Sequence, residues 1–162
     1  MLSRERVLEV LNEVMDPEVP VISVVELGIV RDVSVDGAGV QVTVTPTYSG
    51  CPAMLEIESD IRTALLSAGA SSVTIDTKYA PPWTTDWIGA EAKEKLRAYG
   101  IAPPGRAESG ELITLTRRVA PVACPFCGSL STRLQSEFGS TACKAIHACD
   151  ACRQPFDEFK AI

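Results

Sequence analysis

Near the start of the chain apolar positions recur with a helical period, placing Val7, Leu11 and Val14 on one face. Ser3 suits an N-cap and Asp16-Pro17 a stop, so the pattern predicts a helix over residues 3–15. Residues 18–21 read as extended. The period then falls to two, with Val40, Val42 and Val44 alternating with Gln41, Thr43 and Thr45. Asp36-Gly37-Ala38-Gly39 supplies a turn, which predicts a hairpin of residues 28–35 and 40–47.

A helical stripe returns at Ile57, Ile61, Ala64, Leu65 and Ala68. Gly50-Cys51-Pro52 opens this second helix, with Pro52 suited to the first turn, and Gly69 ends it. Residues 72–79 predict a third strand with Val73, Ile75 and Tyr79 on one face. A segment rich in proline and tryptophan follows (residues 80–87). A helix at about 89–98 then starts near Asp86 and stops at Gly100. Two prolines and two glycines make residues 101–111 a linker, and residues 112–119 suit a strand.

Composition narrows the class. A hydrophobic fraction of 46% in 162 residues supports a packed core, and the length allows one domain with a small appendage. Charge is uneven. Residues 1–117 carry 10 Lys/Arg against 17 Asp/Glu, while residues 118–162 carry 5 against 4. An acidic body repels phosphate backbones and anionic lipid, which argues against nucleic-acid and membrane partners. No apolar run reaches the length of a membrane span, and charges interrupt the first apolar stretch, so a cytoplasmic location is expected.

Six cysteines change the picture most. Five of them fall in the last 39 residues, and in a reducing compartment such clustering points to metal. Cys124-Pro-Phe-Cys127 and Cys149-Asp-Ala-Cys152 are two CxxC knuckles with 21 residues between them, enough for a hairpin that brings four thiolates onto one zinc. Rubredoxin-type iron uses the same spacing. Cys143 is an alternative ligand to a knuckle cysteine, and His147, the one histidine, is either a packed hairpin residue or a ligand. The expected fold class is therefore α+β. Residues 1–100 form a small α-β-β-α-β domain with a mixed sheet and helices on one face. A linker over 101–117 leads to a zinc ribbon over 118–162.

Cys51 stands apart. A lone cysteine is most often a small buried apolar residue. Its place before Pro52 at a helix start, after a polar loop, instead favours a thiolate able to act as nucleophile or soft-metal ligand. No histidine lies in this half of the chain, which argues against a cysteine hydrolase. Asp16 and Glu18 flank Pro17, as a helix stop in a solvated turn or as acidic ligands. Trp83 and Trp87 either cap the core or, if exposed, anchor a partner protein.

Asp16-Pro17-Glu18-Val19-Pro20, Glu26-Leu27-Gly28-Ile29-Val30 and Thr47-Tyr48-Ser49-Gly50-Cys51-Pro52 together resemble the α/β domain of iron–sulfur assembly accessory proteins, over about residues 3–90. Residues 80–88, 139–144 and 155–160 extend the likeness, so that nearly the whole chain resembles the D-subunit family of bacterial phenylacetyl-CoA monooxygenase (ring 1,2-epoxidase) systems. The resemblance implies a non-catalytic accessory protein of aerobic phenylacetate catabolism. Its partners would be the oxygenase or reductase proteins of that complex. Carried over by position, Cys51 would be the transient iron–sulfur cluster or metal ligand, with Asp16 and Glu18 lining the same site. His147 departs from the family pattern, where an aromatic residue is expected. Two other readings stay open: a structural or regulatory zinc protein that docks through the tryptophans and the ribbon, and a thiol oxidoreductase pairing Cys51 with Cys143. Oligomeric state, a homodimer included, is left open by the sequence.

Overall fold

The structure is a computed structural model that describes residues 2–105 and 121–162. It divides into two compact units, Met1–Trp83 with Trp87–Ala92, and Thr84–Asp86 with Lys93–Ile162.

The first unit begins with helix α1 (Arg4–Leu11), where the extended Ser3 accepts a hydrogen bond from the Arg6 amide at 3.2 Å through its hydroxyl. Ser3→Ala removes this cap and is expected to lower stability by about 1 kcal/mol, read as an earlier denaturant midpoint. The helix is shorter than the predicted 3–15. The backbone beyond Asn12 pairs elsewhere: the Val24 amide donates to Val14 and the Asp16 amide to Ile22, at 2.9 and 3.0 Å.

Strands β1 (Val30–Asp36) and β2 (Gly39–Val44) form the expected hairpin, tightened to a two-residue connection because Gly37 supplies a φ of 60°. A bulge between Val30 and Asp32 shifts the register, so Val30 faces Val44 while Val33 faces Val42. The extra residue keeps valines of both parities on the buried side and frees Arg31. Strand β3 (Ser72–Thr77) adds parallel to β2, giving a mixed sheet in the order β1-β2-β3. Tyr79 lies beyond β3 and is exposed, which corrects its place on the predicted strand face.

Helix α2 (Met54–Ser67) packs with α1 on the valine face, burying Ile57, Ile61 and Leu65. Each fully buried side chain of this size contributes roughly 1.5–3 kcal/mol. Its end is a Schellman turn: the Gly69 amide donates to Leu66 and the Ala70 amide to Leu65, both at 3.0 Å. The start differs from the expectation. Pro52 precedes the helix by two residues, and the N-cap, Ala53, offers no side-chain hydrogen bond.

A 3-10 turn (Thr85–Trp87) leads toward α3 (Ala90–Ala98), which buries Leu96. The expected linker begins as a strand instead. Here β4 (Ile101–Ala102) pairs in parallel with β7 (Pro155–Phe159), which pairs antiparallel with β6 (Lys144–Cys149), and β6 with β5 (Thr132–Ser136). Both β4 residues are buried, which is why they are sheet and not spacer. The strand expected over 112–119 lies outside the described residues. No described helix is long and apolar enough to cross a membrane.

Candidate metal centre and the Cys51 turn

Each CxxC knuckle is built by backbone geometry. In the first, the Gly128 amide donates to the Cys124 carbonyl at 2.9 Å, with Gly128 at a φ of 74°. In the second, the Arg153 amide donates to the Cys149 carbonyl at 3.0 Å, with Arg153 at a φ of 64°. Arg153 is the one non-glycine among the described residues that takes this left-handed conformation. Strand β6 delivers Cys149 to the sheet's end, where it packs with Ala102, Cys124 and Phe156.

The four sulfurs converge. Cys124 and Cys152 stand 3.7 Å apart, Cys127 and Cys149 3.6 Å, and all four lie within 4.8 Å of one another. A tetrahedron of sulfurs at the zinc–sulfur distance of about 2.3 Å has edges of roughly 3.8 Å, so the quartet already has the spacing that zinc requires. Cys143 is outside it. That thiol is buried beside the Thr141 hydroxyl at 3.0 Å, which removes it as a knuckle substitute. His147 is also outside it, held by Glu158 on β7 at 2.7 Å.

The thiols are not equivalent. The Cys152 backbone N–H holds Cys149 down to about 7, because it stabilises a thiolate. Cys152 accepts a lowering backbone bond from Gln154, yet burial and the neighbouring thiols push it up to about 12. Cys149 is thus the thiol that ionises first.

Cys51 is half-buried and free, in a turn where its amide donates to Tyr48 at 3.4 Å and its carbonyl accepts from Met54 at 3.3 Å. Much of the preceding loop is buried: Thr45, Pro46 and Thr47 are covered, Tyr48 is half-buried, and Ser49 and Gly50 are exposed. Asp16 is a buried turn-former whose Oδ1 accepts from the amides of Glu18 and Val19, both at 2.8 Å. Among the described residues, the group of ligand atoms within 4.8 Å of one another does not include Asp16, Glu18 or Cys51, and Oδ1 of Asp16 is engaged by the turn.

The tryptophans also part company. Trp83 is 4% exposed and donates Nε1–H to the Leu27 carbonyl at 3.0 Å, so it is a core residue and not the partner anchor that exposure would have made it. Trp87 is half-buried, with the Arg31 guanidinium 3.6 Å above its ring centre. Two features escaped sequence reasoning. The His147–Glu158 pair joins residues on different strands, and Ser23-Val-Val-Glu26 is a reciprocal capping pair that the S-x-x-E spacing could have revealed.

Known proteins match both units. A family described as iron–sulfur cluster assembly protein matches residues 4–77, and the PaaD zinc beta ribbon domain matches residues 108–160. A protein of Escherichia coli (strain K12), described as a subunit of 1,2-phenylacetyl-CoA epoxidase, is 46% identical over 94% of this chain and 89% of its own. The chain belongs to the PaaD family. Its fold class is accordingly α+β with a C-terminal zinc-ribbon domain. The body of this PaaD-family chain has relatives without the ribbon. An Fe-S protein maturation auxiliary factor of Porphyromonas gingivalis is 38% identical over 58% of this chain and 90% of its own. The crystal structure of a DUF59 domain from Bacillus anthracis superposes with a TM-score of 0.53 at 29% identity, covering 57% of this chain and 89% of that one.

Proposed function

We propose that this chain is a cytoplasmic accessory protein of a phenylacetyl-CoA epoxidase system that assists assembly of an iron–sulfur cluster or di-iron centre in a partner protein. It performs no ring chemistry itself. The observation that carries this reading is the half-buried free Cys51 ahead of an α2 start that no side chain caps, in a domain whose relatives are named as Fe-S maturation factors. Uncapped N–H groups favour an anionic sulfur beside them, which is what a transient soft-metal ligand needs. Asp16 holds the turn that carries Glu18. The ribbon holds zinc as a structural ion, and its partners are the oxygenase or reductase proteins.

Cys51→Ser tests the reading. The variant should fold with unchanged stability, and a deletion strain complemented with it should lose most ring-epoxidising activity. Normal activity would refute the role of Cys51. A second reading, a protein that docks on the epoxidase and never handles a cluster, is favoured by the relative described as a subunit of that enzyme. It expects stable co-purification with the epoxidase and indifference to Cys51→Ser.

A further inference from the structure

The first sheet has the order β1-β2-β3, so β1 and β3 are its outer strands, each with one row of backbone N–H and C=O groups turned away from the ladder. Both strands have the composition that accepts a neighbour. Val30, Val33 and Val35 on β1, and Val73, Ile75 and Thr77 on β3, are β-branched residues that suit a pleated surface. An open edge of this kind is a template for pairing with another chain.

Each edge carries an arginine supplied by a helix. On β1, Nε–H of Arg4, the first residue of α1, donates to the Val33 carbonyl at 3.2 Å, and the same guanidinium lies 3.7 Å from the Asp32 carboxylate. On β3, Arg62 of α2 donates to the Val73 carbonyl at 2.6 Å. One turn earlier on α2, Glu58 accepts from the Thr77 hydroxyl at 3.2 Å, so one face of that helix reaches β3 near both of its ends. The two arginines come from different helices and reach opposite edges, yet they make the same bond. A guanidinium on an edge carbonyl competes for the acceptor that a new strand's N–H would use. It also sets a charge and a long stem in that strand's path.

We infer that Arg4 and Arg62 guard the two edges of the first sheet, closing it to strand addition by a second copy of this chain. A second copy is the strand donor always present at the protein's own concentration, and it brings the same valine-rich strands. A partner protein then meets the first unit through its loops and helices, not through an added strand.

The test uses the full chain with Arg4→Met, Arg62→Met and the double variant, since methionine keeps an apolar stem and loses every donor. Sedimentation velocity over a concentration series reads association, and hydrogen exchange on the same samples locates it. The double variant should associate at a concentration at least about tenfold below that of wild type, because each freed acceptor favours an incoming strand. Amide protection should rise with concentration on β1 in Arg4→Met and on β3 in Arg62→Met, and on neither in wild type. Arg4→Lys and Arg62→Lys keep a charged donor and should behave as wild type. Unchanged association of the double variant, or association without new protection on the freed strand, would overturn the inference. So would loss of circular dichroism at every concentration, which would make the arginines tethers of the fold.

Discussion

Cys149→Ser is expected to abolish metal retention and unfold residues 121–162, while α1, α2 and β1–β3 keep their amide protection. Cys149 is 1% exposed and packs in a cluster with Ala102, Cys124 and Phe156, with Val122 and Cys152 against it. Serine there removes a ligand from the quartet, and structural zinc contributes on the order of 10–16 kcal/mol in small finger domains. Hydrogen exchange with and without a strong chelator checks the expectation. Protection of β6 and β7 should vanish with the metal and that of β2 should not. Persistence of β6 protection in the metal-free chain would contradict it. The pH dependence has a definite sign. Cys149 is held below the ordinary thiol value of 9.0, at about 7, in the folded knuckle. Its ionised form therefore favours folding fully above the ordinary value, and that contribution is lost as pH falls through about 7. Acidification should release metal from the loaded ribbon, since protons compete for the same sulfurs.

What could be read from the residues was what short-range chemistry decides. Ser3 as a cap, the Val40-Val42-Val44 alternation and Gly69 after α2 each depend on neighbours within a turn, and each stands where expected. The two knuckles were legible for the same reason, because a CxxC turn aims its thiols by local geometry. Choices settled by distant partners were not. Helix α1 ends early because residues 14–16 pair with 22–24. Ile101 and Ala102 read as spacer until β7, more than fifty residues on, claims them. Which amides the Asp16 carboxylate would bind was likewise not legible, because acidic residues around a proline do not reveal it.

Trp83→Ala should be among the most damaging single changes in the first unit, costing about 3–5 kcal/mol, while Trp87→Ala costs about 1 kcal/mol or less. Prolines and polar residues surround both, so sequence offers no way to rank them. Burial does. Trp83 is 4% exposed and its indole N–H meets the Leu27 carbonyl, so alanine leaves both a cavity and an unpaired acceptor. The neighbouring backbone is shaped around the pair: Gly28 has a φ of 78°, and a side chain there would begin 3.0 Å from the Trp87 Cβ and 3.6 Å from the Trp83 indole nitrogen. Trp83→Phe separates the two losses, because it fills most of the space but cannot donate, and should cost about 1–3 kcal/mol. Urea midpoints for the three variants, followed by circular dichroism, test the order. If Trp83→Phe matched wild type while Trp87→Ala unfolded the body, Trp87 would be the core residue. That result would contradict the burial of Trp83 and the stacking of Trp87 under Arg31 on which the order rests.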